Sequence, residues 1–85
     1  MGNPSYANLD VHEGTLTGNK TITFSHKPRR IIITNDSASN NLEFKFNDSE
    51  SYATLKPTET ITLDIAHKIV LLQGSSVSYR IWGIG

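Results

Sequence analysis

Residues 42–46 read Leu-Glu-Phe-Lys-Phe, and this alternation of apolar and charged side chains decides the fold class. Successive side chains of a β-strand point to opposite faces, so the apolar residues share one face of a predicted strand. Residues 60–65 alternate in the same way, as Thr-Ile-Thr-Leu-Asp-Ile. Residues 31–33 are all isoleucine, a continuous run that predicts a central strand covered on both faces. Clusters of Asn, Ser, Asp, Gly and Pro separate these segments, which is typical of many strands joined by turns.

The pattern predicts an all-β fold, a small antiparallel β-sandwich of six to eight short strands. We expect the sandwich over residues 14–85 and an N-terminal arm over residues 1–13, where apolar side chains follow no period. Residues 61–72 also fit a helical stripe, but the strict alternation in their first half favours strands. The residues expected to dominate the core are Ile22, Phe24, Ile31, Ile33, Leu42, Phe44, Phe46, Ile61, Leu63, Ile65, Ile69, Leu71, Tyr79 and Ile81.

Size and charge narrow the classes of function. The chain has 85 residues, of which 36% are hydrophobic, so we expect one domain with a thin core, which favours association with other subunits. Eight basic and eight acidic residues cancel, which argues against a nucleic-acid-binding protein. The chain has no cysteine, so thiolate chemistry and disulfides are excluded. Neither a signal peptide nor an apolar stretch long enough to span a membrane is present, so we expect no membrane role.

No catalytic motif is visible, and we expect a protein that is not an enzyme. His12, His26 and His67 have no metal-ligand spacing, and Asp48 and Glu50 lack the pattern of a calcium loop. Nucleophile elbows and glycine-rich phosphate loops are also missing. The sequence therefore predicts no catalytic, cofactor-binding or metal-binding residue and no cofactor.

Partner contact is instead predicted at two places. The arm carries exposed apolar groups, and the loop before the isoleucine run carries the chain's positive cluster, so the candidate contact residues are Tyr6, Leu9, Val11, Lys27, Arg29 and Arg30. A carbohydrate-binding module is the alternative, because Tyr52, Tyr79 and Trp82 are rings that stack on sugars. Tyr79 and Trp82 have an odd separation in one strand, however, so at least one of them is expected in the core.

Four segments carry a resemblance to a known group of proteins: residues 30–36, 42–47, 54–60 and 79–85. Their strand and turn patterns resemble small β-sandwich structural proteins of tailed bacteriophage virions, including head-decoration and tail-associated modules. The resemblance covers roughly residues 21–85. It implies a capsid-decorating or viral-tail structural protein, assembled in the host cytoplasm and bound to other virion proteins. It also implies copies arranged around a symmetry axis, with a homo-trimer favoured.

The core assignment makes a direct prediction for Phe44. Its replacement by Ala should lower the free energy of unfolding by about 3–5 kcal/mol, which is comparable with the whole stability of a small domain. Thermal and urea denaturation of the Phe44→Ala variant measure this loss. An unchanged melting temperature would contradict the assignment of Phe44 to the core.

Overall fold

The computed structural model describes residues 9–46 and 51–85, and these form an antiparallel all-β fold. The predicted fold class is confirmed, although two of the strands are long: β1 has 15 residues and β6 has 16. Within the described ranges there is no helix, and so none that could cross a membrane. The strands are β1 Leu9–Thr23, β2 Arg30–Asn35, β3 Leu42–Phe46, β4 Ala53–Leu55, β5 Thr60–Leu63 and β6 Ile69–Ile84.

Strand β6 is the centre of the sheet. It pairs with β1 along one edge, and along its other edge its first half pairs with β3 and its second half with β2. β4 and β5 pair with β3 and β2, so the order is β4-β3-β6-β2-β5 with β1 beside β6. β2, which contains the predicted central run 31–33, is an interior strand between β6 and β5, although the strand with the most partners is β6.

A bulge at Ser76 sets which side chains of β6 face inward. Leu16 pairs with Val77 but Thr17 pairs with Ser75, so β6 has one extra residue at this point. Ser76 has a φ of 56°, the left-handed conformation found at bulges. The alternation of inward-pointing and outward-pointing side chains in β6 therefore shifts by one residue at the bulge. Odd positions point inward after the bulge and even positions before it.

The core lies between the two halves of the curled sheet, where β1 and β6 contribute to both. Most predicted core residues are buried, and Ile61, Leu63 and Ile65 are partly buried against them. Ile69 and Leu71 were predicted inward and instead lie on the outer side, because the bulge turns Val70 and Leu72 inward. The buried apolar residues are Leu16, Ile22, Phe24, Ile31, Ile33, Leu42, Phe44, Phe46, Leu55, Val70, Leu72, Val77, Tyr79 and Ile81.

Five residues of the expected arm belong to the sheet. Leu9–Thr23 is one strand, and the pairing begins with Leu9 opposite Ile84. The sequence concealed this strand because its inward positions include Asp10, His12 and Gly14, so no apolar alternation appears. Residues 1–8, including Tyr6, and residues 47–50, including Asp48 and Glu50, lie outside the described residues.

A buried asparagine organises the loop after β2. The Asn35 side chain donates hydrogen bonds to the carbonyls of Asn40 and Leu55, at 2.9 and 3.0 Å, and its oxygen accepts the Ser37 N–H at 2.9 Å. Each polar atom of this fully buried side chain is therefore satisfied. The bond to Leu55 joins the loop to β4, across the two halves of the sheet.

Gly83 and Phe24 make a close contact inside the core. A Cβ atom on Gly83 would lie 2.8 Å from two ring carbons of Phe24, nearer than real Cβ contacts allow. Phe24 is almost fully buried, so its ring has little room to retreat. The absence of a side chain at position 83 therefore makes space for the ring.

We expect Gly83→Ala to destabilise the fold by about 1–3 kcal/mol, the usual cost of overpacking a core. Gly14→Ala is the matched control, because its Cβ would meet the end of the Tyr79 side chain at 3.3 Å. Urea denaturation of both variants gives the comparison. A double-mutant cycle with Phe24→Leu should show the two changes to be non-additive. Additive effects would contradict the steric explanation.

Candidate functional site

The outer face of the sheet's second half carries an apolar patch. The register places Val11, Trp82 and Ile32 side by side on three adjacent strands, and Leu9 beside Ile84 in the neighbouring row. Leu9 and Val11 are 56% and 44% exposed, and the other three are half-buried. We call these five residues the apolar patch. Contiguous exposed apolar surface of this kind is typical of interaction sites.

The isoleucine run predicts apolar contacts on both faces of β2, and the apolar patch contains the residue of the run that lies on the outer face. Residues 31–33 have the pattern of a strand covered on both faces. Ile31 and Ile33 are fully buried in the core, whereas Ile32 lies on the outer side and remains half-buried. Among the described residues, the inner face of β2 is therefore fully covered and Ile32 on the outer face only in part.

One end of the apolar patch carries two arginines. Arg30 Nε donates to Asp64 Oδ1 at 2.7 Å, and Arg29 has no carboxylate partner among the described residues. The carbon chain of Arg29 packs against Gly85, where an added Cβ would lie 3.0 to 3.2 Å from it. These residues and Ile84 line an open depression of about 410 Å³. Two guanidinium groups and the Asp64 carboxylate therefore lie around this depression together with Gly85.

The other end is negative. Arg80 donates to both oxygens of Asp36, at 2.6 and 3.0 Å, and the Asp36 carboxylate raises the pKa of the Arg80 guanidinium above its usual value. The exposed Glu13 lies opposite Arg80 in the register. The guanidinium carbon of Arg80 lies 5.1 Å from the centre of the Trp82 ring. One guanidinium and two carboxylates give this end a net charge of −1.

Three of the predicted contact residues, Leu9, Val11 and Arg30, come together at the apolar patch. Arg29 lies beside them in the depression. Lys27 is exposed in the loop between β1 and β2, outside the register that forms the patch, and Tyr6 lies outside the described residues. The pattern analysis did not place Ile32, Trp82 and Ile84 on this surface. Because Tyr79 and Ile81 point inward, alternation along β6 does predict Trp82 on the outer side.

The three rings considered for sugar binding do not form one platform. Tyr79 is buried in the core, and this burial raises the pKa of its hydroxyl. Trp82 lies on the outer face, as the odd separation of Tyr79 and Trp82 predicted. The Lys45 ammonium lies over the Tyr52 ring, 4.9 Å from the ring centre. Both residues belong to the half of the sheet that contains β3. Only Trp82 remains at the apolar patch.

A second candidate is the polar cluster at the start of β1, on the inner side. Asp10 Oδ2 accepts the backbone N–H of Ser25 at 2.7 Å, and this bond lowers the pKa of the Asp10 carboxyl below its ordinary value. His12 Nε2 lies 3.3 Å from Asp10 Oδ1 without the geometry of a hydrogen bond, and its ring meets Phe24 edge-on. Ser25 Oγ and His26 Nδ1 are 3.4 Å apart.

This cluster has a structural use. The Ser25 and His26 atoms are further apart than the roughly 2.6–3.2 Å of a nucleophile with its base. In residues 9–46 and 51–85, no three His, Asp or Glu side chains gather to hold a metal ion. The Asp10 bond to Ser25 fastens the start of β1 to the loop before β2.

Comparison with known proteins identifies the fold. No family model and no curated protein matches the chain. Among solved structures, an RmlC-like cupin protein from Desulfovibrio desulfuricans matches with a TM-score of 0.61 and 8% identity, over 99% of this chain and 76% of that one. A cupin superfamily protein from Desulfitobacterium hafniense matches with 0.59 and 12%, over 93% and 70%. A designed double-stranded β-helix matches with 0.53 and 15%, over 84% and 94%.

These matches define the class of fold and nothing finer. The chain has the cupin-like double-stranded β-helix, in which a curled antiparallel sheet closes over one core. Identities of 8 to 15% carry no information on activity or partner.

The Asp10 carboxylate predicts an acid-dependent loss of stability. Because its pKa is lowered on folding, its contribution is fully present above the ordinary value of 3.8 and is lost as the pH falls through the folded-state pKa. Urea denaturation between pH 7 and pH 2 should show wild type and Asp10→Asn converging in acid. Asp64→Asn, at an exposed carboxylate, is the control and should have a small effect. A constant difference between wild type and Asp10→Asn at every pH would contradict this.

Proposed function

We propose that the chain is a non-enzymatic structural protein that works by surface contact, with the apolar patch as its contact surface. The observation that carries the proposal is the outer face of β2 and β6, where Ile32, Trp82 and Val11 lie in one row and, among the described residues, keep part of their surface exposed. Covering such a face removes apolar area from water, which stabilises an assembly.

The resemblance of the strand and turn segments to tailed-bacteriophage structural modules supports a partner in the virion. The partner is then a capsid or tail protein, or another copy of the chain, and assembly takes place in the host cytoplasm. The charged groups at both ends of the apolar patch support a specific orientation on that partner, because complementary charges fix register.

The surface of the other half of the sheet offers a matched comparison. Its outer side carries Thr21 beside Leu71 and Lys45, so polar and charged groups interrupt the apolar side chains. Val11 and Thr21 are both exposed, belong to the same strand and point to the outer side. A lysine at either position therefore adds the same charge at little cost to the fold.

We expect Val11→Lys to abolish association with virion particles and Thr21→Lys to preserve it. The experiment fractionates lysates of the source strain on a density gradient and follows the chain into fractions that hold nuclease-protected DNA. Circular dichroism confirms that both variants are folded. Co-sedimentation of Val11→Lys with the particles would contradict the role of the apolar patch. A wild-type chain found only in slow fractions, while particles form, would contradict the virion role.

A carbohydrate-binding module is distinguished by the fluorescence of Trp82, the chain's only tryptophan. Titration with a broad glycan panel should leave its emission unchanged if protein contact is the function. A saturable change with one glycan class would favour the carbohydrate alternative.

A further inference from the structure

We infer that strand β1 binds an extended segment of another protein along the edge that faces away from β6, which we call the open edge. The segment adds to the sheet as a further strand beside residues 9–17. This inference rests on the proposed contact function and names how the partner binds. It follows from the length of the open edge, the direction of its backbone groups and the side chains beside it.

The open edge is long compared with the other edges of the sheet. β1 has 15 residues and pairs with β6 alone among the described strands. The strands at the two ends of the sheet order, β4 and β5, have three and four residues. Short edge strands protect a sheet against further pairing, whereas a long edge is a template for an added strand. β1 is therefore where an extended segment would gain the most hydrogen bonds.

Backbone hydrogen bonds show which residues of β1 point to the open edge. The Phe24 N–H, directly after β1, donates to the Lys68 carbonyl, directly before β6, at 2.9 Å. Backbone groups alternate in direction along a strand, and β1 has no extra residue, so its even-numbered residues bond to β6 and its odd-numbered residues point to the open edge. Ser78 agrees with this, because its carbonyl accepts the Asp36 N–H and so points away from Thr15, its register partner in β1.

The side chains along the open edge show what kind of segment fits. Leu9 and Val11 are the exposed large apolar side chains among the described residues, and β6 lies beside them on one side only. Glu13 follows on the same face and is also exposed. An added strand places its own side chains at a cross-strand distance of about 5 Å from these residues. The segment that fits therefore has apolar side chains beside Leu9 and Val11 and a basic side chain beside Glu13.

A second copy of β1 does not supply this pattern. Two β1 strands paired antiparallel about Glu13 would set two glutamates opposite each other, and like charges in this position are destabilising. Pairing about Val11 would set Leu9 opposite Glu13. Pairing about Thr15 would set Val11 opposite the polar Asn19. The pattern therefore favours a segment of a different protein, which in the proposed function is a capsid or tail protein.

A synthetic peptide tests the open edge on the isolated chain. The probe is Thr-Thr-Thr-Lys-Thr-Ile-Thr-Ile-Thr, acetylated and amidated at its ends and carrying a fluorophore. In an antiparallel pair it places isoleucines beside Leu9 and Val11 and its lysine beside Glu13. Fluorescence anisotropy should show saturable binding to wild type. The same peptide with glutamate in place of lysine should bind about tenfold more weakly or worse.

Two variants of Thr15 separate main-chain pairing from side-chain contact. Thr15→Pro removes an N–H that points to the open edge and keeps the bonds to β6, because proline is tolerated on that side of an edge strand. Thr15→Val keeps the N–H and loses the same hydroxyl, which lies 3.3 Å from the Ser78 hydroxyl. Thr15→Pro should weaken peptide binding by about tenfold or more, and Thr15→Val should bind as wild type does. Circular dichroism confirms that both variants are folded.

Amide hydrogen exchange of the wild-type chain tests the geometry without any substitution. The N–H groups of Glu13 and Thr15 should exchange faster than those of Gly14 and Leu16, which bond to β6. Saturation with the peptide should slow the exchange of Glu13 and Thr15, because the added strand accepts their hydrogen bonds. Gly14 and Leu16 should keep their rates.

Absence of saturable peptide binding to wild type would overturn the inference, as would equal binding by Thr15→Pro and Thr15→Val. Slow exchange of Glu13 and Thr15 in the isolated chain would also overturn it, because another part of the chain or a second copy would then occupy the edge. Failure of the proposed function is separate. A chain that binds the peptide and never enters particle fractions refutes the virion role alone, and entry of Thr15→Pro at the wild-type level refutes the strand addition alone.

Discussion

The fold depends on one extra residue in β6. Ser76 has no counterpart in β1, and its left-handed backbone shifts the alternation of the strand by one position. Without the shift, either Val77 or Leu72 would point outward, since a regular strand holds odd and even residues on opposite faces. With the shift, both are buried. One pair of long strands therefore supplies inward side chains to both halves of the core.

The bulge also explains why the inward residues of β6 are predictable from alternation after Ser76 and not before it. The alternation in β3 and β5, and in the second half of β6, is visible because polar residues interrupt the apolar ones. The run Ile69–Leu72 has no polar interruption, so its inward residues follow from the bulge and cannot be read locally. β1 was hidden for the opposite reason, because its inward side begins with polar residues and glycine.

Some residues of the candidate site were predictable from the sequence, but their common location on the sheet was not. Leu9 and Val11 were recognised as apolar residues in need of a partner, and Arg30 as part of a positive cluster. Their common location depends on Ile84 of β6, which lies between Leu9 and Arg30 in the register. Local alternation predicts which face a side chain lies on, but it does not predict pairing between strands so distant in the chain. The isoleucine run was informative in one respect, because Ile32 adds an apolar side chain to the outer face that the described residues cover only in part.

The central position of β6 also determines when the protein can fold during its synthesis. β6 is the last strand made, and β1 and β3 lie beside it, as does one edge of β2. Until β6 is available, only the β2–β5 and β3–β4 pairs can form among the described strands, and the inner faces of both remain uncovered. A nascent chain therefore exposes most of its apolar core until translation of β6 is nearly complete. During that interval its uncovered apolar surface and unpaired strand edges favour aggregation.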